Sequence, residues 1–149
     1  MIMNVIFLGT LGIYHPLIAA YEYLGQLKTD DISNLKFWGD RISEARGDPL
    51  LVGYDQQGNG VYSLGAGVDV IMTQKSIEQM VKIFDRSEKD LIVQTVFIKR
   101  EKILLFLHRA GQIKAINRLV TPLVKYLLNQ ELIAIQQQVE NFRNKVRFD

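Results

Sequence analysis

Apolar residues along this chain recur in two rhythms: short unbroken runs, and longer stretches spaced by three and four. The first run, Asn4–Gly9 (NVIFLG), closes on a glycine. Such runs fit strands covered on both faces, as in parallel sheets. Behind it Leu17, Ile18, Tyr21 and Leu24 step at helical spacing, with Pro16 in the first turn and Gly25 as the C-cap. Residues 26–49 are polar and mixed, with short helices expected around Ile32–Phe37 and Arg41–Ala45. Leu50–Asp55 and Val61–Gly65 read as strands joined through the turn QQGNG, a hairpin. A helix is expected over Val68–Phe84, with Ile71, Ile77, Met80, Val81 and Phe84 on one side. Leu91–Ile98 (LIVQTVFI) is β-branched and almost wholly apolar, which predicts a central strand. KREKILLFLHRAG predicts a helix ended by Gly111, and Ile116–Val120 a last strand. Thr121 and Pro122 read as the N-cap and first residue of a final helix running to about Val146. Along it Leu128, Leu132, Ile135, Val139, Phe142 and Val146 form a heptad-like seam, which either lies on the sheet or pairs with another subunit at its far end.

Strands alternating with helices predict an α/β fold. The expected architecture is a three-layer, Rossmann-like open sheet, mostly parallel with one hairpin, with helices on both faces and a long C-terminal helix. A length of 149 residues suits one domain, taken as 1–149.

Composition removes several classes of function. There is no cysteine, so disulfides, thiolate metal sites and cysteine nucleophiles are excluded, and a reducing cytoplasm is the expected compartment. Lys and Arg number 18 against 16 Asp and Glu, a net charge of +2. That balance, with Arg143, Lys145 and Arg147 interleaved among apolar residues, argues against nucleic-acid binding. The apolar N-terminal stretch has no preceding Lys or Arg and is broken by His15, Pro16 and Glu22, so neither an export signal nor a membrane span is expected.

Ligands of open α/β sheets sit at the carboxyl ends of the strands, so Gly9–Pro16 (GTLGIYHP) is where a site is sought, with Gly9 and Gly12 as its ligand-binding glycines. Glycines beside a helix N-terminus suit an anion. Yet the spacing matches no phosphate-loop motif, no Lys closes the loop, and Pro16 lacks a donor N–H. Physically the loop is a poor phosphate cradle. His15 is its one ionisable side chain and a candidate acid or base; a packing role is the simpler reading. Asp55, at the end of the second strand, is the other catalytic candidate. Asp55 and Asn59 sit in a polar tip that ordinary turn chemistry also explains. Arg109 and Arg118 are candidates for an anionic ligand, with solvation as the alternative. His15 and His108 lack a neighbouring carboxylate pattern, so no metal site and no cofactor are expected.

With these elements placed, the chain resembles a bacterial family of unknown function, domain of unknown function 3189, found in sporulating Gram-positive bacteria. The most specific likeness is GYDQQGNGVYSLG, in which Gly53, Asp55, Gly58, Asn59, Val61, Tyr62, Leu64 and Gly65 fit the family's pattern. Ala19–Ala20, Leu24–Gly25, Phe106–Arg109 and Arg118 continue it. Typical members resemble Tyr-Gly-Gly-Thr-His-Ser-Ser in the first loop; here Gly12 fits the second glycine, but Ile13, Tyr14, His15 and Pro16 replace the four polar residues. A later Gly-Gly-Phe-Leu-Ser-Arg pattern becomes LLFLHR, with Leu104, Leu105 and His108 departing from it and Arg109 kept. The resemblance implies a divergent member that kept the scaffold and lost the loop chemistry; the family has no established activity to carry over. Two readings stay open. One is a non-catalytic scaffold acting through protein contacts, as a homo-oligomer or beside a family member, through the C-terminal helix. The other is a small enzyme or binder of a phosphate-bearing or nucleotide-like ligand at the strand carboxyl ends.

Overall fold

The computed structural model of the chain describes residues 3–28, 31–84 and 90–148. Its elements are, in order, β1 (Asn4–Gly9), α1 (His15–Tyr23), a 3₁₀ turn (Ile32–Asn34), α2 (Arg41–Arg46), β2 (Leu50–Tyr54), β3 (Gly60–Gly65), α3 (Val70–Ile83), β4 (Leu91–Thr95), α4 (Glu101–Ala110) and α5 (Lys114–Phe148). The four strands form one sheet in the order β2-β3-β1-β4. β1 runs parallel to both β3 and β4, and β2 closes the antiparallel hairpin onto β3.

Side-chain alternation divides the strand residues between two faces. Val5, Phe7 and Val61 join α1 and α5 in the larger core. Ile6, Leu8, Leu64 and Val93 face the other way and take Val70 of α3. Helices therefore cover both faces, the expected three-layer α/β arrangement. Phe7, Tyr23 and Phe142 lock strand, α1 and α5 together, their ring centroids 5.5–5.6 Å apart. Each such pair adds about 0.5–1.5 kcal/mol beyond its burial. α1 ends as its glycine predicts: Gly25 adopts φ +70°, its N–H bonding the Glu22 carbonyl and that of Gln26 bonding Tyr21. This is the paired closure of a Schellman motif.

Several expectations are corrected. β4 is an edge strand, because the order puts β1 and β3 at the centre; an unbroken apolar run reports cover on both faces, which α3 and the larger core provide at an edge too. Val96 and Ile98 leave the ladder but stay buried in that core. Residues 116–120 are helical, in the opening turns of a 35-residue α5 that passes straight through Thr121 and Pro122. Thr121 there bonds its hydroxyl to the Asn117 carbonyl at 2.8 Å, an in-helix arrangement. Val120, Val124, Leu127 and Leu128 are all buried at helical spacing across the proline, and this packing outweighs the lost N–H. On α3 the expected apolar side is mostly outside: Ile71, Met80 and Phe84 are exposed, and Ile77 packs on the sheet. The heptad-like seam of α5 belongs to this chain's own core, with Leu128, Ile135, Val139 and Phe142 buried and Leu132 and Val146 packed against them. Of the two readings offered for it, packing within the chain is the one observed, with α5 lying chiefly on α1 and α4 and meeting the sheet through Phe142 and Phe7.

Candidate functional site

β1 and β3 end side by side, with Gly9 paired to Gly65. By alternation both glycines face the α1–α5 layer, and each leaves room for a side chain from elsewhere. The His15 ring lies over Gly9, where a Cβ would come within 2.5 Å of Nε2. The Glu44 carboxylate lies against Gly65 in the same way. Gly12 packs its backbone on that of Gly65, a Cβ there standing 2.7 Å from the Gly65 nitrogen. Only glycine fits such an approach.

The loop between Gly9 and His15 is buried throughout, so its backbone groups need partners within the protein. They find them at a distance. The Gly12 N–H donates to Glu44 Oε2 at 3.0 Å, and the Gly12 carbonyl accepts from the buried Ser63 hydroxyl at 2.5 Å. The Gly9 and Thr10 carbonyls accept from Ala66 and Gly67 at 2.8 and 3.1 Å. Glu44 is presented by α2, whose first turn is capped by Asp40 through the Ser43 N–H and hydroxyl at 3.1 and 2.7 Å. Burial raises the Glu44 carboxyl above its ordinary pKa, although the Gly12 and Ile13 N–H groups pull the other way. The loop's donors thus fail to make a favourable home even for the one carboxylate they hold.

Two histidines sit beside this loop. His15 is fully buried, with Nε2 3.3 Å from Glu101 Oε1. Neither ring nitrogen nor that carboxylate oxygen has a hydrogen-bond partner among the described residues. A histidine against a carboxylate is an acid–base pair in outline, here sealed from solvent on the histidine side. His108 is held by Arg41, which donates to its carbonyl at 2.5 Å and lies 3.3 Å from Nδ1. Burial first, then the Arg41 and Arg109 charges, pushes His108 down to about 4, so it is neutral at pH 7. Tyr14 stacks edge-on between Trp38 and His108, at 5.1 and 6.0 Å. A groove of about 390 Å³ opens beside them, lined by Tyr14, Trp38, Arg41, Asn117 and Val124.

The sequence-predicted site residues do not all meet here. Gly9, Gly12 and His15 do. Asp55 and Asn59 lie at the opposite end of the sheet, because β2 is antiparallel and its carboxyl end meets the amino ends of its neighbours. There Asp55 accepts from the Gln57 and Asn59 N–H groups and the Asn59 amide, each at 2.9 Å, while Asn59 Oδ1 accepts from Met3 at 2.6 Å. That is turn chemistry, the plainer of the two readings. Arg109 and Arg118 are exposed on α4 and α5. Among the described residues no cluster of three or more metal-ligating side chains occurs, and no helix is long and apolar enough to cross a membrane.

The family model for the protein of unknown function (DUF3189) matches residues 4–144. The chain belongs to this family. No curated protein and no solved structure matches it. As a DUF3189 protein it inherits no activity, and the segment Gly53–Gly65 is accounted for by the turn and strand just described: Asp55 and Asn59 build the turn, Gly58 takes φ +83°, and Gly65 admits Glu44. The DUF3189 residues that sequence reasoning missed at the carboxyl edge are Glu44, Glu101 and Arg41. Only one signal pointed towards them: a loop this apolar is buried, and its N–H groups must then be satisfied by a distant acceptor.

Proposed function

We propose that this protein is a non-catalytic α/β scaffold acting through protein contacts, a divergent member of its family that has kept the frame and closed the loop. One observation carries the reading: the loop at the strand carboxyl ends is wholly buried, and Glu44 occupies the donor and the space that an incoming anion would need. The absence of cysteine fits a cytoplasmic setting, and the loop's departures from the family pattern fit divergence within a lineage of sporulating Gram-positive bacteria.

The test is a thermal-shift panel of phosphate, nucleotides, sugar phosphates and dinucleotides. A ligand that binds only the folded state at 100-fold excess over its Kd stabilises it by about 2.7 kcal/mol. A flat panel is expected. The second reading, a binder or enzyme for a phosphate-bearing or nucleotide-like ligand, draws on the buried His15–Glu101 pair with its unsatisfied nitrogens. A saturable shift that His15→Ala abolishes would establish it in place of the first.

A further inference from the structure

α5 carries a second apolar stripe outside the core. Ile116, Leu119, Leu123 and Tyr126 advance by three, four and three, and the last three are 70%, 52% and 62% exposed. This is heptad spacing on an uncovered side. α4 packs antiparallel alongside: Arg100 bonds Gln130 at 2.5 Å, Phe97 and Gln138 exchange hydrogen bonds at 2.9 and 2.6 Å, and Gly111 lies by Asn117 at the other end. α4 adds Ile103 and Phe106, 52% and 69% exposed. These six exposed apolar side chains lie on two helices that pack side by side, and apolar surface left uncovered in this way marks an interaction site.

Along these two helices the charge has one sign: from residue 102 to 130 there are five Lys or Arg and no Asp or Glu, in a chain whose net charge is only +2. Lys102 and Arg109 stand one helical turn either side of Phe106, both exposed. Arg118 is exposed on α5, about 100° round from Leu119 and away from the side where Gln138 meets Phe97. Lys125 is engaged by Asp31 at 2.9 Å. The exposed apolar residues of α3 lie instead among charges of both signs, Asp69, Lys75, Glu78 and Lys82.

We propose that the α4–α5 surface is the docking site for an amphipathic helix with acidic flanks. The inference rests on the protein-contact reading above and names its partner's chemistry. A second copy would set basic rim against basic rim, a like-charge juxtaposition that costs affinity. The heptad register favours a helix laid along the stripe over a lipid surface, which has no register to match.

The probe is a fluorescent amphipathic peptide with Leu at its a and d positions and Glu on its flanks, set against the same peptide with Lys flanks. Anisotropy should show the Glu peptide binding at least about tenfold tighter, with an affinity that weakens as salt rises. Leu119→Asp with Leu123→Asp should abolish binding while circular dichroism shows an unchanged fold, since both side chains are exposed. Lys102→Glu with Arg109→Glu should reverse the preference between the peptides. Equal binding of the two peptides, or indifference to the leucine changes, overturns the inference. So does a dimer in light scattering that the leucine changes dissociate, and so does capture by phosphatidylserine vesicles lost in those variants when the peptides do not bind. The scaffold reading fails separately: a small-anion thermal shift lost in His15→Ala removes it whatever the peptides do, whereas peptide indifference with a flat panel removes only the docking site.

Discussion

The loop after β1 and the turn between β2 and β3 are both short and glycine-bearing, at opposite ends of one sheet. They satisfy their backbones from opposite sources. The turn is mostly exposed and uses its own residues: Asp55 gathers the N–H groups of Gln57 and Asn59 within four positions. The loop is buried and borrows from afar, Glu44 lying 32 positions from Gly12 and Ser63 lying 51. A local solution survives on its own sequence. A borrowed one exists only when α2 and β3 are both in place, so the loop is part of the core in energetic terms and the turn is not.

That contrast can be broken in order of expected size. Acid should act on the loop's surroundings first. The fold lowers His108 from 6.5 to about 4 and so favours its neutral form. Its contribution is then complete above pH 6.5 and is lost as pH falls towards 4, up to about 3 kcal/mol at 1.36 kcal/mol per unit. Urea midpoints across that window should fall in the wild type and much less in His108→Gln. Gly65→Ala forces a methyl onto the Gly12 backbone and Glu44, and should cost about 3 kcal/mol. Gly58→Ala, with φ +83° and nothing within 4 Å, should cost only about 1–2 kcal/mol. Equal losses would mean the loop is no more tightly built than the turn. Ser63→Ala strands a buried carbonyl and should cost about 2 kcal/mol; Asp55→Ala frees N–H groups beside the exposed turn tip at residues 56–58, where water can replace the lost carboxylate, and should cost about 1 kcal/mol. Denaturant titration of the two side by side settles their order. Smallest is Glu44→Gln. Because burial raises the Glu44 pKa, that residue's contribution is fullest below pH 4.5 and is lost as pH rises through its folded value. Gln keeps an acceptor for Gly12 without the charge, so its unfolding free energy at pH 7, from urea titration, should match or exceed the wild type by about 0.5 kcal/mol or less.

The same distinction explains what the sequence could reveal. Strands β1, β2 and β3, the hairpin, α1 with its glycine closure and the α5 seam are patterns within a few residues of one another, and they were legible. The position of β4 in the sheet was not, because burial on both faces is local and strand order is global. Residues 116–120 misled because Thr121–Pro122 carries the signature of a helix start; the helical spacing of Ile116, Val120, Val124 and Leu127 ran through it and was the stronger clue. At the site, the glycines and His15 could be named from the loop alone. Glu44, Glu101 and Arg41 could not, since they come from α2 and α4, far from the loop in the chain, and nothing near them marks a distant acceptor or donor. Asp55 was misplaced for the same reason: which end of the sheet a strand terminates at depends on its direction relative to partners elsewhere.

The parallel pairing of β1 also has a consequence for biosynthesis. A ribosome makes Val5, Phe7 and Leu8 well before the strands that will flank them, and β4 follows about 90 residues later, which at about 5–20 residues per second is a delay of roughly 5–20 s. Phe142, which closes the aromatic trio on Phe7, comes later still. Until β3 arrives, about 55 residues on, this greasy strand has both edges open, and one edge stays open until β4 follows. The nascent chain is most exposed to mispairing then, and a holding chaperone acting during translation would matter more to this protein than one acting after release.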